Sequence, residues 1–250
     1  MKFSICLDAV FNNKDFFESA RLVKEAGFNT IEFWSWWDKD IDAILNLKKE
    51  LDLKIQTFCV PFISLVDPTK RQNYLDELKK SIEVAKKLDC NTFISQVGNN
   101  IPEFTKEKQM GSIIYGLKSC VPSLKASGIT LVFEPLNTKV DHKGYFLTSS
   151  KDAFHIANMI NSPNIKVLYD IYHQLVMGEN PIEEILPNIG NIGHFHAAGY
   201  PGRHELDSGQ FSYMKLFKSI DETNYTDCIG IEYFPLSDPL IGLKNLLTQT

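Results

Sequence analysis

Short apolar runs alternate with longer amphipathic stretches from one end of this chain to the other, and the unit recurs until eight strand-like runs have appeared. The runs are Phe3 to Leu7, Thr30 to Phe33, Lys54 to Cys59, Thr92 to Ser95, Thr130 to Phe133, Lys166 to Tyr169, Ile192 to Phe195 and Cys228 to Ile231. Between them, Lys14 to Ala26, Asp40 to Leu51, Arg71 to Leu88, Lys106 to Ser127 and Ser150 to Ile160 carry apolar residues near three and four apart, the spacing of a helix with one buried face. Gly27 and Gly128 stand where two of these helices should stop, and Ser149-Ser150-Lys151-Asp152 offers a cap and early negative charge to another. A short sixth helix is expected around Ile182 to Pro187, cut off by the proline.

Strands joined through helices run parallel, and eight of them can close on themselves. An open doubly wound sheet would leave edge strands and often a phosphate-binding glycine loop, and the chain has neither GxGxxG nor GxxxxGK. The expectation is therefore an α/β fold, a (β/α)8 TIM barrel, as a single domain over residues 1–250 with no linker or low-complexity tract. With 44% hydrophobic and 23% charged residues the chain can fill such a core. A net charge of -5 gives no general attraction to phosphate backbones or anionic lipids, so neither nucleic acid nor membrane is an expected partner. The apolar start ends at Asp8, too short for a signal-peptide core, and the protein reads as cytoplasmic. Five scattered cysteines, Cys6, Cys59, Cys90, Cys120 and Cys228, lack the close pairing of a zinc or redox motif and read as reduced, packed side chains.

Catalytic groups of a barrel stand at the C-terminal ends of its strands. Here Glu134, Asp170, His196 and Glu232 follow the last four runs in turn. One strand-end carboxylate often does no more than cap a helix. Three carboxylates and an imidazole aimed at one mouth would repel strongly unless a cation neutralised them, and the oxygen-rich set suits Mg2+, Mn2+ or Co2+ better than a structural zinc. Such an ion, chelated by a carbonyl and a neighbouring hydroxyl, would stabilise an enediolate, with Glu134 and Glu232 as the catalytic pair that removes and returns a proton. Return to the neighbouring carbon is aldose-ketose isomerisation; return to the same carbon from the other face is epimerisation.

Other residues near these ends carry further expectations. His173, taken to lie on a loop above the barrel, would bind a substrate oxygen or merely orient Asp170. His194 faces the same way as His196 but deeper, as a group behind the site or a packed core residue. In the loop Gly199 to Glu205, Arg203 has the planar fork for a substrate carboxylate, with Glu205 beside it as a further substrate contact or as its partner in a surface ion pair. Trp34, Trp36 and Trp37 would wall the pocket, at least one of them packing under the helices instead.

The runs FEPLNTKVDHKGYFLTSS (Phe133 to Ser150), LYDIYHQ (Leu168 to Gln174), GHFHAAGYPGRHELDSGQFSY (Gly193 to Tyr213) and IGIEYFP (Ile229 to Pro235) closely resemble hydroxypyruvate isomerase and its relatives in the xylose isomerase-like TIM-barrel superfamily. The likeness is strongest from about Leu131 to Pro235. It implies that Glu134 and Glu232 transfer the proton and that Asp170 and His196 complete the metal site. Relatives with ketose 3-epimerase activity share the four-ligand plan, with a histidine like His173 and an arginine like Arg203 on the substrate. Family members often read GEINY where this chain has Gly209-Gln210-Phe211-Ser212-Tyr213, so a carboxylate near the pocket is replaced by Gln210.

The activity expected is interconversion of hydroxypyruvate and 2-hydroxy-3-oxopropanoate, or of a similar 2-oxo-hydroxy acid, with Arg203, His142 and Lys143 as candidate carboxylate binders. The partner is then a small hydroxy-carbonyl compound, and the aromatic loops leave room for a homo-oligomer. Three other readings stand beside it: a ketose 3-epimerase, a sugar-binding barrel without turnover, and a metal-dependent endonuclease. The last would want more strand-end histidines than the first four ends supply, since their nearest residues are Asp8, Phe33, Cys59 and Gln96.

Overall fold

The computed structural model describes residues 1–249, with side chains through residue 248. Its eight strands are β1 (Lys2–Cys6), β2 (Thr30–Phe33), β3 (Lys54–Cys59), β4 (Thr92–Ser95), β5 (Thr130–Phe133), β6 (Ile165–Asp170), β7 (Ile192–Ala197) and β8 (Cys228–Ile231). They pair in parallel in chain order, and β8 returns to β1, so the sheet is a closed barrel with no edge. Ten helices surround it: α1 (Leu7–Val10), α2 (Phe16–Glu25), α3 (Ile41–Glu50), α4 (Arg71–Leu88), α5 (Lys106–Ser127), α6 (Ser150–Ile160), α7 (Ile171–Met177), α8 (Pro181–Asn188), α9 (Tyr213–Asp221) and α10 (Pro239–Gln249). Among the described residues no helix is long and apolar enough to cross a membrane.

Local chemistry sets the boundaries. The Asp15 carboxylate accepts from the Phe17 and Glu18 amides to start α2, Asp40 does the same for α3, and Ser149 accepts from Lys151 to start α6. At the end of α5, Gly128 takes a left-handed φ of 71°, which lets the chain reverse into β5. The sequence showed no helix over 171–177, because seven residues are too short to display a period. Asp170 caps that segment by accepting from the His173 amide, so His173 lies in helix α7 rather than on a loop. The helix at Pro187 is short as expected: α8 ends at Asn188, one residue past the proline, which removes an amide donor from its last turn.

Alternation along the strands divides the side chains. Phe33, Phe58, Phe93, Phe133, Tyr169 and Phe195 join the large cluster beneath the helices, where Phe33 and Phe58 stack at 5.5 Å. Cys59, Ile94, Val132 and Leu168 form a separate apolar cluster, with Trp34 against it, inside one half of the barrel. In the other half the buried residues are polar: Ser4, Glu32, His194 and His196, with glycine at position 230. All five cysteines are free and buried. The active-site question therefore concerns the polar half and the strand ends above it.

Candidate active site

Glu134 and Glu232 each follow a strand directly, whereas Asp170 and His196 are the last or nearly the last residues of β6 and β7. Register places Asp170 beside His196 and His196 beside Gly230, so the groups share one level of the barrel. All four are buried. His196 Nδ1 lies 3.6 Å from Glu232 Oε2 and 3.8 Å from Glu134 Oε1. Ligand-type atoms of Asp170, His196 and Glu232 lie within 4.8 Å of one another, as do those of Glu134, Asp170 and His173. Glu134 Oε1 and His196 Nδ1 have no hydrogen-bond partner although both are buried. Buried polar atoms left without partners in a dry site are costly, and a divalent cation shared among them would remove that cost. The donor set fits a hard or borderline ion.

The two glutamates differ in what holds them. Glu232 accepts from the Trp34 indole N–H at 2.7 Å through Oε1 and from Arg203 Nη2 at 2.6 Å through Oε2. Burial raises its carboxyl, but His196 and Arg203 outweigh burial and keep the group below the ordinary glutamate range. Burial pushes the Glu134 carboxyl well above that range; His196 pulls it back, and Glu232 and Asp170 add to the rise. Asp170 is also raised by burial, against the pull of Arg203 and His196. For His196, burial favours the neutral ring, yet Glu232 and Glu32 outweigh it and lift its pKa to about 10. The surroundings thus bias Glu232 toward the ionised form and Glu134 toward the protonated one, an arrangement suited to a base and an acid.

His173 presents a defined tautomer. Asn137 Oδ1 accepts from the Val140 and Asp141 amides, which turns its Nδ2 toward His173 Nδ1 at 2.6 Å. The ring nitrogen facing an amide donor must accept, so the proton sits on Nε2, which is buried, unpartnered and 3.7 Å from Asp170 Oδ2. Burial, then Arg203, hold the ring neutral. His173 therefore offers an N–H donor to the cavity and not a lone pair for a metal. Asn137→Ala, which frees that tautomer, should lower turnover about tenfold and also lower the thermal midpoint, because the Val140 and Asp141 amides lose their acceptor. Full activity in that variant would show that Asn137 does not set the tautomer.

These groups open onto a cavity of about 370 Å³. Trp34, Ile94, Leu136 and Phe234 supply apolar wall, and Gln96, Asp141, His142 and Arg203 supply polar wall. Arg203 sits at a left-handed φ of 61° in a loop pinned by Arg203 N to Gly199 O and Phe234 N to Arg203 O. Its guanidinium bridges Glu232 and, at 3.7 Å, Asp141, and its Nε is unpartnered. The alternative pairing of Arg203 with Glu205 is not found among the described residues. Glu205 is turned away to accept from the Leu236 amide and does not line the cavity, because the loop's own fold consumes its carboxylate. Lys143 does not line it either, while His142 does. Of the three tryptophans, Trp34 lines the cavity, Trp36 is tied to Ser81 under the helices, and Trp37 is exposed at the rim against Phe62.

The sequence reading missed Asn137, Asp141 and Glu32. Glu32 had a signal: a lone charge inside the apolar run Thr30 to Phe33. It is buried in the barrel, with Oε2 2.9 Å from His194 Nε2 and 3.5 Å from His196 Nε2. Burial raises its carboxyl, and the two histidines outweigh burial and bring it to about 2.

Known proteins are similar to this chain over nearly its full length. The 2-oxo-tetronate isomerase of Pectobacterium atrosepticum is 26% identical, covering 97% of this chain and 95% of its own. The hydroxypyruvate isomerase of Escherichia coli is 26% identical, covering 98% and 97%. A crystal structure described as an AP endonuclease, family 2, from Brucella melitensis superposes with a TM-score of 0.93 at 28% identity, covering 99% of this chain and 98% of that one. Residues 20–246 match the family described as Xylose isomerase-like TIM barrel, and with four ligand-type residues converging at the mouth of a closed eight-stranded barrel, the chain belongs to that family.

Proposed function

We propose that this protein is an isomerase of small 2-oxo-3-hydroxy acids, hydroxypyruvate or the four-carbon 2-oxo-tetronate, moving a proton between C3 and C2. The observation that carries the reading is the pair of buried glutamates at the cavity, Glu134 and Glu232, 3.8 and 3.6 Å from His196 Nδ1, with burial raising the first carboxyl and His196 and Arg203 lowering the second. The two relatives named for these acids support the substrate class. So does Arg203, whose guanidinium faces a cavity large enough for either compound.

A divalent ion, Mg2+, Mn2+ or Co2+, held by Glu134, Asp170, His196 and Glu232 would supply Lewis acidity to the substrate's adjacent oxygens. The chain's own groups do the rest. Glu232, kept ionised by Trp34 and Arg203, takes the proton from C3 to leave an enediolate, and the O3 hydrogen passes to O2. Glu134 delivers a proton to C2, so the carbonyl ends at C3 and atoms balance. His173 Nε2–H donates to a substrate oxygen as charge develops there. Arg203 holds the C1 carboxylate, and the apolar wall of Leu136, Ile94 and Phe234 excludes water that would quench the transferred proton.

Metal-loaded protein should convert hydroxypyruvate to the aldehyde in deuterated water, with deuterium appearing at C2 by NMR, and should act on 2-oxo-tetronate in the same way. Neutral ketoses should turn over at least 100-fold more slowly, since they leave the arginine without a carboxylate. Faster turnover of ketoses, with deuterium at C3, would replace this assignment with a 3-epimerase. Binding with no exchange at any carbon would leave a barrel without turnover.

A further inference from the structure

We infer that Glu32, on β2 beneath the proposed ligands, is a positioning residue that makes His196 keep its Nε2 proton and offer Nδ1 to the metal. The inference rests on the metal reading above. His196 has one ring nitrogen toward each of two carboxylate groups at different depths. Nδ1 looks up at Glu134 and Glu232, at 3.8 and 3.6 Å, and Nε2 looks down at Glu32 Oε2, at 3.5 Å. Closing that lower gap to a hydrogen bond takes a shift of only about 0.5 Å. A ring nitrogen beside a buried carboxylate is stabilised as N–H, because its lone pair would face the carboxylate's own. The other nitrogen then carries the lone pair, and an anion hydrogen-bonded behind the ring makes it a stronger donor to a cation.

Two features show that this arrangement is built. Glu32 is itself fixed from the side: the same Oε2 accepts from His194 Nε2 at 2.9 Å, and both side chains are buried. The space it occupies also depends on glycine at the facing position of β8. A Cβ on Gly230 would stand 2.1 Å from Glu32 Oε1 and 2.5 Å from His196 Cδ2, so any larger residue there would evict one of the two. Position 230 thus leaves room, two residues below the proposed ligand Glu232, for a carboxylate that itself never reaches the cavity wall. The competing use of the same residues is a second cation held by Glu32, His194 and His196 together. A carboxylate oxygen that already has His194 Nε2 at 2.9 Å and His196 Nε2 at 3.5 Å can be satisfied by N–H groups without a cation, which favours the positioning role.

The test uses Zn2+ as a diamagnetic probe. In wild-type protein loaded with Zn2+, long-range 15N–1H spectra should show His196 protonated at Nε2 and metal-shifted at Nδ1, with one ion per chain by elemental analysis. Glu32→Gln, which keeps the volume and removes the charge, should weaken Zn2+ binding about 10- to 100-fold by competition with a chelating dye. Its far-UV circular dichroism should match wild type. Gly230→Ala, whose methyl group would crowd both Glu32 and His196, should weaken binding in the same direction. Metal on Nε2 of His196, two ions per chain, or a Glu32→Gln affinity within twofold of wild type would each overturn the inference while leaving the metal site itself standing. Absence of any bound ion in the wild type would instead overturn the metal reading, and this one with it. The spectrum of the wild type decides even if neither variant folds.

Discussion

Glu134→Gln is expected to lower isomerase turnover about 100- to 10,000-fold, the range for loss of one proton-transferring group, and to leave solvent exchange at the substrate C3 measurable. The asymmetry follows from what surrounds each carboxyl. Glu232 has two donors, Trp34 Nε1 and Arg203 Nη2, that hold it ionised before substrate arrives. It can remove the C3 proton with Glu134 absent. What the variant lacks is the acid that completes the transfer at C2. Glu232→Gln should lose both steps, conversion and exchange, because no ionised carboxylate then faces C3. Hydroxypyruvate in deuterated water, followed by proton NMR for loss of the C3 signal, separates the two activities. If Glu134→Gln abolished exchange and Glu232→Gln kept it, the acid and base would be reversed; if both variants kept near-full turnover, the two glutamates would not be the proton carriers. Each substitution also removes a carboxylate from the proposed metal site, so the comparison belongs at saturating metal.

How far this could be foreseen depended on the range of the interaction concerned. The barrel was legible because strand and helix periods are local, and the closure of eight parallel units follows from their number. Glu134, Asp170, His196 and Glu232 were legible for the same reason: a strand end is a place in the fold that can be read from sequence. Relations across the barrel were not. Glu32 and His194 are 162 residues apart, and nothing local says that the carboxylate lies under a histidine of β7. Arg203 was seen as a carboxylate binder, but its partner was misjudged: Glu205 is two residues away, yet the loop directs that side chain to the Leu236 amide and gives Arg203 to Glu232 and Asp141. The tautomer of His173 rests on Asn137, whose amide is oriented by two backbone donors in the loop after β5. Such a detail exists only once the chain is folded.

Metal affinity should rise steeply with pH. In chelator-stripped protein at neutral pH, His196, with its pKa lifted to about 10, carries protons on both ring nitrogens, and burial keeps Glu134 protonated. A cation that takes a lone pair from His196 must displace the second proton of that ring, while Glu134 can offer one carboxyl oxygen and keep its proton on the other for transfer to C2. Protons compete with the ion below these raised values, so the sign is fixed: binding strengthens as pH rises, tenfold per unit for each proton displaced, and levels off above about 10, where His196 has lost its extra proton in the free protein. Between pH 6 and 8 the gain should be at least about 100-fold from His196 alone. Calorimetric titration of the stripped protein with Mn2+ in buffers of different ionisation enthalpy would count the protons, and about one released per ion is expected. The same coupling predicts that stripping the metal costs more stability at pH 8 than at pH 6, since the stabilisation by a ligand grows with the ratio of its concentration to its dissociation constant. An affinity flat across this range would mean that the ion does not enter among these side chains. The physical logic is one of charge: the extra proton on His196 offsets the surrounding carboxylates in the stripped site, and a bound divalent ion takes over that neutralisation.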